Sequence, residues 1–253
     1  MRKLYLIGIG AGNPDHLTIQ AIKALNKVDV FFFMDKGEAK QDLIALRREI
    51  CERFIENPTY RIVEAADPVR DPSIADYTTR VETWHTQRAL IYEQLITSEL
   101  TKTQTGAFLV WGDPSLYDST LRIIDQITSR ANIPFEFEVI PGITSIQALA
   151  ASHKITLNGI GESVLITTGR HLSPTLLDTA ENTIVMLDGQ CSFNKVIDEP
   201  LDIFWGAYLG MEQETVASGN LEETASRIET LRSELKEKNG WVMDAYLLRR
   251  RTR

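Results

Sequence analysis

The chain has 253 residues, 43% of them apolar, and a formal net charge of −8, which suits a full hydrophobic core and weighs against a nucleic-acid surface spread over much of the protein. No run of about 18 apolar residues is present, and the apolar stretch after Met1, Arg2 and Lys3 is too short for a secretion signal, so a cytoplasmic protein is expected. Cys51 and Cys191 stand far apart without a Cys-x-x-Cys pair, which argues against a disulfide framework or a zinc ribbon.

In chain order, strand-length apolar runs alternate with helix-length amphipathic segments: LYLIGIG, a helix over 17–28, VDVFFFM, a helix over 38–54, then YRIVEA. That rhythm is βαβ, and the nearly continuous apolar strands predict a parallel sheet covered on both faces. A charged linker over 65–78 leads into a helix over 78–100 and the strand GAFLVWGDP. Next come a helix over 119–131, FEFEVI, a Pro-Gly turn, a helix over 144–152, SVLITTG, TIVMLDG, a helix over 192–198, IFWGAYLG, a helix over 221–238 and GWVMDAYLL. Strands outnumber helices in this half, which predicts hairpins and a mixed sheet. Gly, Asp and Pro cluster at 112–118, so a boundary between domains 1–117 and 118–253 is expected, with RRRTR as a solvated end.

The first strand runs into Gly8, Gly10 and Gly12. A dinucleotide fingerprint needs Gly-x-Gly-x-x-Gly, but position 13 is Asn, and Pro14 and Asp15 delay the helix until Thr18, a natural N-cap. Asp35 after the second strand keeps an NAD(P)-dependent oxidoreductase open as an alternative, and a tight turn without a ligand is another. No Gly-Lys-Ser/Thr follows, which removes a P-loop.

Four stretches taken together, YLIGIGAGNPDHLTIQA, WGDPSLY, VIPGITSIQALAA and LITTGRH, resemble in order and spacing the tetrapyrrole methylases, which use S-adenosylmethionine (SAM). The resemblance covers essentially the whole chain. FFFMDKGE, RDP, VETWHTQR and TIVMLDG look most like members that act on a precorrin of cobalamin biosynthesis, coupling methyl transfer to loss of an acetyl group as acetate. The resemblance implies an α/β fold of two domains with a parallel N-terminal and a mixed C-terminal sheet, an interdomain cleft holding folded SAM, and a homodimer. In it the N-terminal domain is the tetrapyrrole side and the C-terminal domain the SAM side. It implies SAM contacts at Ala11, where relatives usually carry proline, at Trp111, Gly112 and Asp113, which match a Gly-Gly-Asp stretch, and at Leu116. Thr144, Ser145, Asp188 and Gly210 complete that set, while Gly8 and Gly10 are assigned to the tetrapyrrole. Asp35 corresponds to an aspartate proposed as proton acceptor in a uroporphyrinogen methylase.

Elementary chemistry fits these positions. Gly112 and Gly142 let main chain approach a ligand, Pro114 and Pro141 stiffen their turns, and the helix opened by Thr144 and Ser145 offers free amides to a carboxylate. Asp113 can accept from an amine or a ribose, unless Asp113-Pro114 is only a turn and Thr144 only an N-cap. Methyl transfer from a sulfonium is an in-line displacement in which positioning supplies on the order of 7–11 kcal/mol. Removal of an acyl group by water needs proton handling, for which Asp35 leads and Tyr117, His171 and Lys36 follow. A ring bearing many carboxylates needs cations: Arg70, Arg170, and the helical face of Tyr77, Arg80, Trp84, His85 and Arg88 are candidates. The alternative for that face is Trp84 in the core with solvated arginines around it. His16 and His153 read as structural or surface residues, and no histidine spacing suggests a metal. A different precorrin, ribosomal RNA or a protein as substrate, and a catalytically silent SAM-binding module, are the remaining alternatives.

Overall fold

The computed structural model describes residues 1–35, 37 and 41–251, in two units, Met1–Thr144 and Ser145–Arg253. In the first, β1 (Arg2–Gly8), α1 (Ile19–Leu25), β2 (Val30–Asp35), α2 (Gln41–Phe54) and β3 (Arg61–Ala66) are followed by α3 (Tyr77–Glu99), β4 (Thr105–Val110), α4 (Thr120–Arg130) and β5 (Phe135–Ile140). The sheet order is β3-β2-β4-β1-β5, every pair parallel. Both faces are covered, as the apolar strands require. On one side Phe31 and Phe33 pack with Ile50 and Cys51 of α2; on the other Phe32 packs with Tyr92 of α3 and Phe108. Tyr92 stacks on Phe108 at 4.0 Å between ring centroids, and each buried ring contributes about 1.5–3 kcal/mol. Cys51 is a buried free thiol that burial pushes up to about 12.

α1 is shorter than the expected 17–28: Thr18 caps its start by accepting from the Ala21 N–H at 3.0 Å and Asn26 is its C-cap, while Pro14–His16 form a separate 3-10 turn before it. Asp76 caps α3 in the same way.

The expected boundary after 117 falls inside the first unit. β5 pairs with β1 from Arg2–Phe135 to Ile7–Ile140, and Ile123, Ile124 and Ile127 of α4 fill the core beside Leu4, Leu6 and Phe108. The Gly, Asp and Pro cluster is the loop joining β4 to α4. Loops at a sheet edge and interdomain linkers draw on the same residue types.

The second unit contains α5 (Ser145–His153), β6 (Val164–Thr168), α6 (Pro174–Leu177), β7 (Asn182–Met186), β8 (Leu201–Ala207), β9 (Thr215–Asn220), α7 (Leu221–Asn239) and β10 (Asp244–Arg250). Its sheet is mixed, in the order β6-β7-β10-β8-β9 with only β6 and β7 parallel. Phe193, Trp205, Tyr208 and Tyr246 form its core. Two expectations change. The helix over 192–198 is a 3-10 turn, Ser192–Val196, and the basic end is ordered: Arg249 and Arg250 belong to β10. Arg249 Nε donates to Asn182 Oδ1 at 2.9 Å, and Arg250 pairs with Asp178 at 2.7 Å. Thr252 and Arg253 lie outside the described residues. Among those described, no helix is long and apolar enough to cross a membrane.

Candidate functional site

β4, β1 and β5 are neighbours, and the loops that leave their C-terminal ends pack main chain against main chain. A methyl on Gly142 would stand 2.1 Å from the Gly112 carbonyl oxygen, and one on Gly8 2.6 Å from the Gly142 nitrogen. Only glycine fits at these two positions. Gly10 and Gly112 bond to each other in both directions, at 3.3 and 2.8 Å, and a methyl on Gly10 would meet the His16 Cβ at 2.5 Å. Packing within the protein by itself requires glycine at Gly8, Gly10 and Gly142. Gly112 differs: its φ is +66°, and the nearest atom to an added methyl would be the Thr144 Cα at 3.8 Å, an ordinary contact, so a methyl has room there.

Asp113 ties these loops together. Its Oδ1 accepts from the Ser115 N–H at 2.8 Å and its Oδ2 from the Gly142 N–H at 2.8 Å. Burial opposes ionisation, but the bonds from Ser115 and Gly142 outweigh it and hold the carboxyl below its ordinary value. The turn interpretation of Asp113 thus has a direct geometric basis. Leu116 is half-buried in the same turn, its N–H donating to Asp113 O at 3.3 Å. Ala11 is 1% exposed, its side chain enclosed in the core.

The face of α3 expected to receive a flat ring is buried at its centre and exposed at Tyr77. Trp84, His85 and Arg88 are buried, and the Trp84 indole donates to Pro68 O at 2.7 Å. Arg70 is exposed and stacks over the Trp84 ring, 4.3 Å from its centroid. His85 shares a 2.8 Å hydrogen bond with Ser119. Burial first, then the nearby Arg122, Arg70 and Arg88, lowers its pKa, so it is neutral and offers no charge to a carboxylate. Asp35 ends β2 half-buried, accepting from the Gly37 N–H at 2.9 Å. Lys36 lies outside the described residues.

In the second unit the Asp188 carboxylate is fully engaged. It accepts from the Gln190 N–H at 3.0 Å, the Ser192 N–H at 2.6 Å, the Ser192 hydroxyl at 3.0 Å and the Tyr246 hydroxyl at 2.7 Å. Its carbonyl accepts from Arg232. Gly169 packs against it so closely that a methyl would stand 2.4 Å from its Cγ. This side chain organises a turn of the second unit. Arg170 and His171 follow Gly169 on an exposed 3-10 turn, and Gly210, at φ +80°, donates to Glu214 at 2.6 Å between β8 and β9.

The family model for tetrapyrrole (corrin/porphyrin) methylases matches residues 3–225. The chain belongs to this family. A precorrin-6A synthase (deacetylating) of a Sinorhizobium species is 50% identical to this methylase over 250 residues, 99% of this chain and 96% of that protein. A solved structure from Corynebacterium diphtheriae, described as a cobalamin synthesis related protein (CobF), is 39% identical, covers 98% of each chain and superposes with a TM-score of 0.83. A uroporphyrin-III C-methyltransferase of Thermus thermophilus complexed with S-adenosylhomocysteine superposes at 0.57 with 18% identity, covering 97% of this chain and 96% of that one, and shares the fold.

Sequence reading of the methylase missed Arg47, Tyr92, Asp118 and Thr120, which meet Arg88 and Trp111 around a cavity beyond β2 and β4. One signal was present. Arg47 falls on the stripe formed by Ile44, Ile50 and Cys51, where α2 otherwise places buried apolar residues.

Proposed function

We propose that this methylase is a SAM-dependent C-methyltransferase of corrin-ring biosynthesis, which methylates precorrin-5 at carbon-1 and releases the carbon-20 acetyl group as acetate, giving precorrin-6A. The observation that carries this reading is the 50% identity to precorrin-6A synthase (deacetylating), sustained over 99% of the chain. On the pattern of the family we assign it to the cytoplasm as a homodimer.

The room for a methyl at Gly112 beside Thr144 is consistent with a cofactor lying against main chain. When bound, SAM supplies an electrophilic methyl group on a sulfonium. Trp111, Gly112, Asp113, Leu116 and Thr144 would hold it in the first unit, with Asp113 acting through the loops it ties together. Ser145 and Gly210 keep the contacts that the resemblance implies. For deacylation, water adds to the acetyl carbonyl, the bond from ring carbon to acyl carbon breaks with its electron pair left on the ring, and Asp35 takes the proton from water. Arg70 and Arg170, both exposed, are the cations assigned to ring carboxylates.

Incubation with SAM and precorrin-5, read by mass spectrometry, should give one added methyl and one acetate per turnover. Methyl gain without acetate would overturn the deacetylating assignment, and NADH binding without SAM binding would overturn the reading as a whole. In the same assay Asp35→Asn should retain SAM affinity and slow turnover about 10²-fold. A wild-type rate would leave Asp35 only its bond to Gly37.

A further inference from the structure

The central strands of the first sheet separate at their C-terminal ends. β2 and β4 pair through Val30–Gly106, Phe31–Ala107 and Phe32–Phe108, yet β2 continues beside β3 to Asp35–Ala66 and β4 beside β1 to Val110–Gly8. From β2 the chain moves toward one edge of the sheet, to β3, and from β4 toward the other, to β5. Adjacent strands with diverging exits form a switch point, and open α/β sheets bind ligands in the crevice outside it. Here that crevice is a cavity of about 60 Å³, several times the roughly 10–15 Å³ that one water needs.

Its polar wall carries an excess of donors. Arg47 enters from α2 and gives two hydrogen bonds to main-chain carbonyls, Leu109 O at 3.1 Å and Leu43 O at 2.7 Å. Among the described residues no carboxylate lies within ion-pair distance of it. Burial pulls its pKa down to about 10, which still leaves a full charge at pH 7. Arg88 Nη2 donates to the Tyr92 hydroxyl at 2.8 Å. Its Nε is ion-paired with Asp67 Oδ1 at 2.8 Å, both side chains buried, although among the described residues neither atom is hydrogen-bonded. Trp111 lines the same cavity, and its indole N–H is buried with no acceptor. Asp118 is the acidic group on the wall, and its Oδ1 already accepts from the Thr120 N–H at 2.6 Å. Buried charges are normally paired, and a buried donor without a partner is costly. Opposite these groups the wall is apolar, formed by Phe32, Met34 and Phe108.

We infer that this crevice is a binding pocket for a short carboxylate, gripped by Arg47 and the Trp111 indole N–H, with Arg88 as a second cation and the β2–β4 wall receiving the alkyl end. Guanidinium groups match the planar, two-oxygen geometry of a carboxylate, and the cavity volume limits the alkyl part to one or two carbons. The pocket stands on geometry alone, whereas the source of its occupant rests on the function proposed above: the acetate that the reaction releases, or a carboxylate arm of the macrocycle.

Titration of the whole protein with acetate carrying ¹³C at the carboxyl, followed by line broadening, tests the pocket without turnover. Wild type should bind acetate, with methyl acetate as the uncharged control that does not bind. Trp111→Phe keeps the ring and removes the unpartnered donor, so it should fold normally and bind acetate about tenfold more weakly, the worth of a hydrogen bond to a charged group. Arg47→Lys should weaken binding at least as much, and if it does not fold, Trp111→Phe decides alone. No acetate binding by wild type, or equal binding by wild type and the folded variants, overturns the pocket even if methyl transfer is confirmed. Under turnover, Arg47→Lys should yield methylated product that retains its acetyl group if the pocket serves the leaving acetate. It should instead raise KM for the tetrapyrrole at an unchanged one-to-one ratio of methyl to acetate if the pocket grips a ring arm.

Discussion

Asp113 and Asp188 each sit in a turn, one in either unit, and each accepts from two main-chain N–H groups. Asp113 is adjacent to Gly112, where an added methyl would stand 3.8 Å from the Thr144 Cα, and Asp188 to Gly189, where one would meet nothing within 4 Å. Asp113→Ala should therefore cost about 1–3 kcal/mol, measured by urea denaturation, and weaken SAM binding in calorimetry because the loops at 112 and 142 lose their common acceptor. Unchanged affinity would detach these loops from the cofactor. The turn at Asp113 was legible in the sequence, but the partners of both aspartates were not. Gly142 is 29 positions from Asp113 and Tyr246 is 58 from Asp188, so no local pattern contains either bond.

At the scale of the element, the apolar runs of β1, β2 and β4 could be read directly because both faces of the parallel sheet exclude water. β9, with the sequence TVASGN, offers no such run and went unread; it is held by its pairing with β8. Nor could the parting of β2 from β4 be foreseen, since register depends on a partner distant in sequence. The glycine loops yield a contrasting pair of variants. Gly142→Ala would force a methyl against two other backbones and should destabilise the fold by about 2 kcal/mol or more. Gly112→Ala has room, so it should cost only the ~1 kcal/mol of a left-handed residue while placing a methyl where the cofactor is proposed to lie. Thermal melts with and without SAM check both, and a Gly112→Ala protein stabilised by SAM as strongly as wild type would argue against that placement.

For the molecule as a whole, acid is the condition to which a buried neutral histidine makes it sensitive. Burial, reinforced by neighbouring arginines, puts the folded pKa of His85 below its unfolded value of 6.5. Just below pH 6.5 the unfolded chain thus takes up a proton that the folded chain refuses, so this contribution is complete above that value and is lost as pH falls toward the folded pKa. The buried carboxyl of Asp244 shifts upward, chiefly through burial, and acts with the opposite sign in a lower window above 3.8. The urea midpoint should drop between pH 7.5 and 5.5, and His85→Gln should flatten that slope; an identical slope in the variant would assign it to other groups. The α/β class was legible at this scale, while the extent of the first unit was not, because β5 reaches back to pair with β1. Synthesis meets the same long reach in time. About 30 residues separate the end of β4 from the end of β5, which is several seconds of translation. Through that interval β1 presents an open strand edge to its surroundings, a state prone to pairing with other chains. The strand that finally covers it carries Glu136 and Glu138, with Glu138 paired to Lys3 at 3.0 Å, so the new edge of the sheet is a charged one.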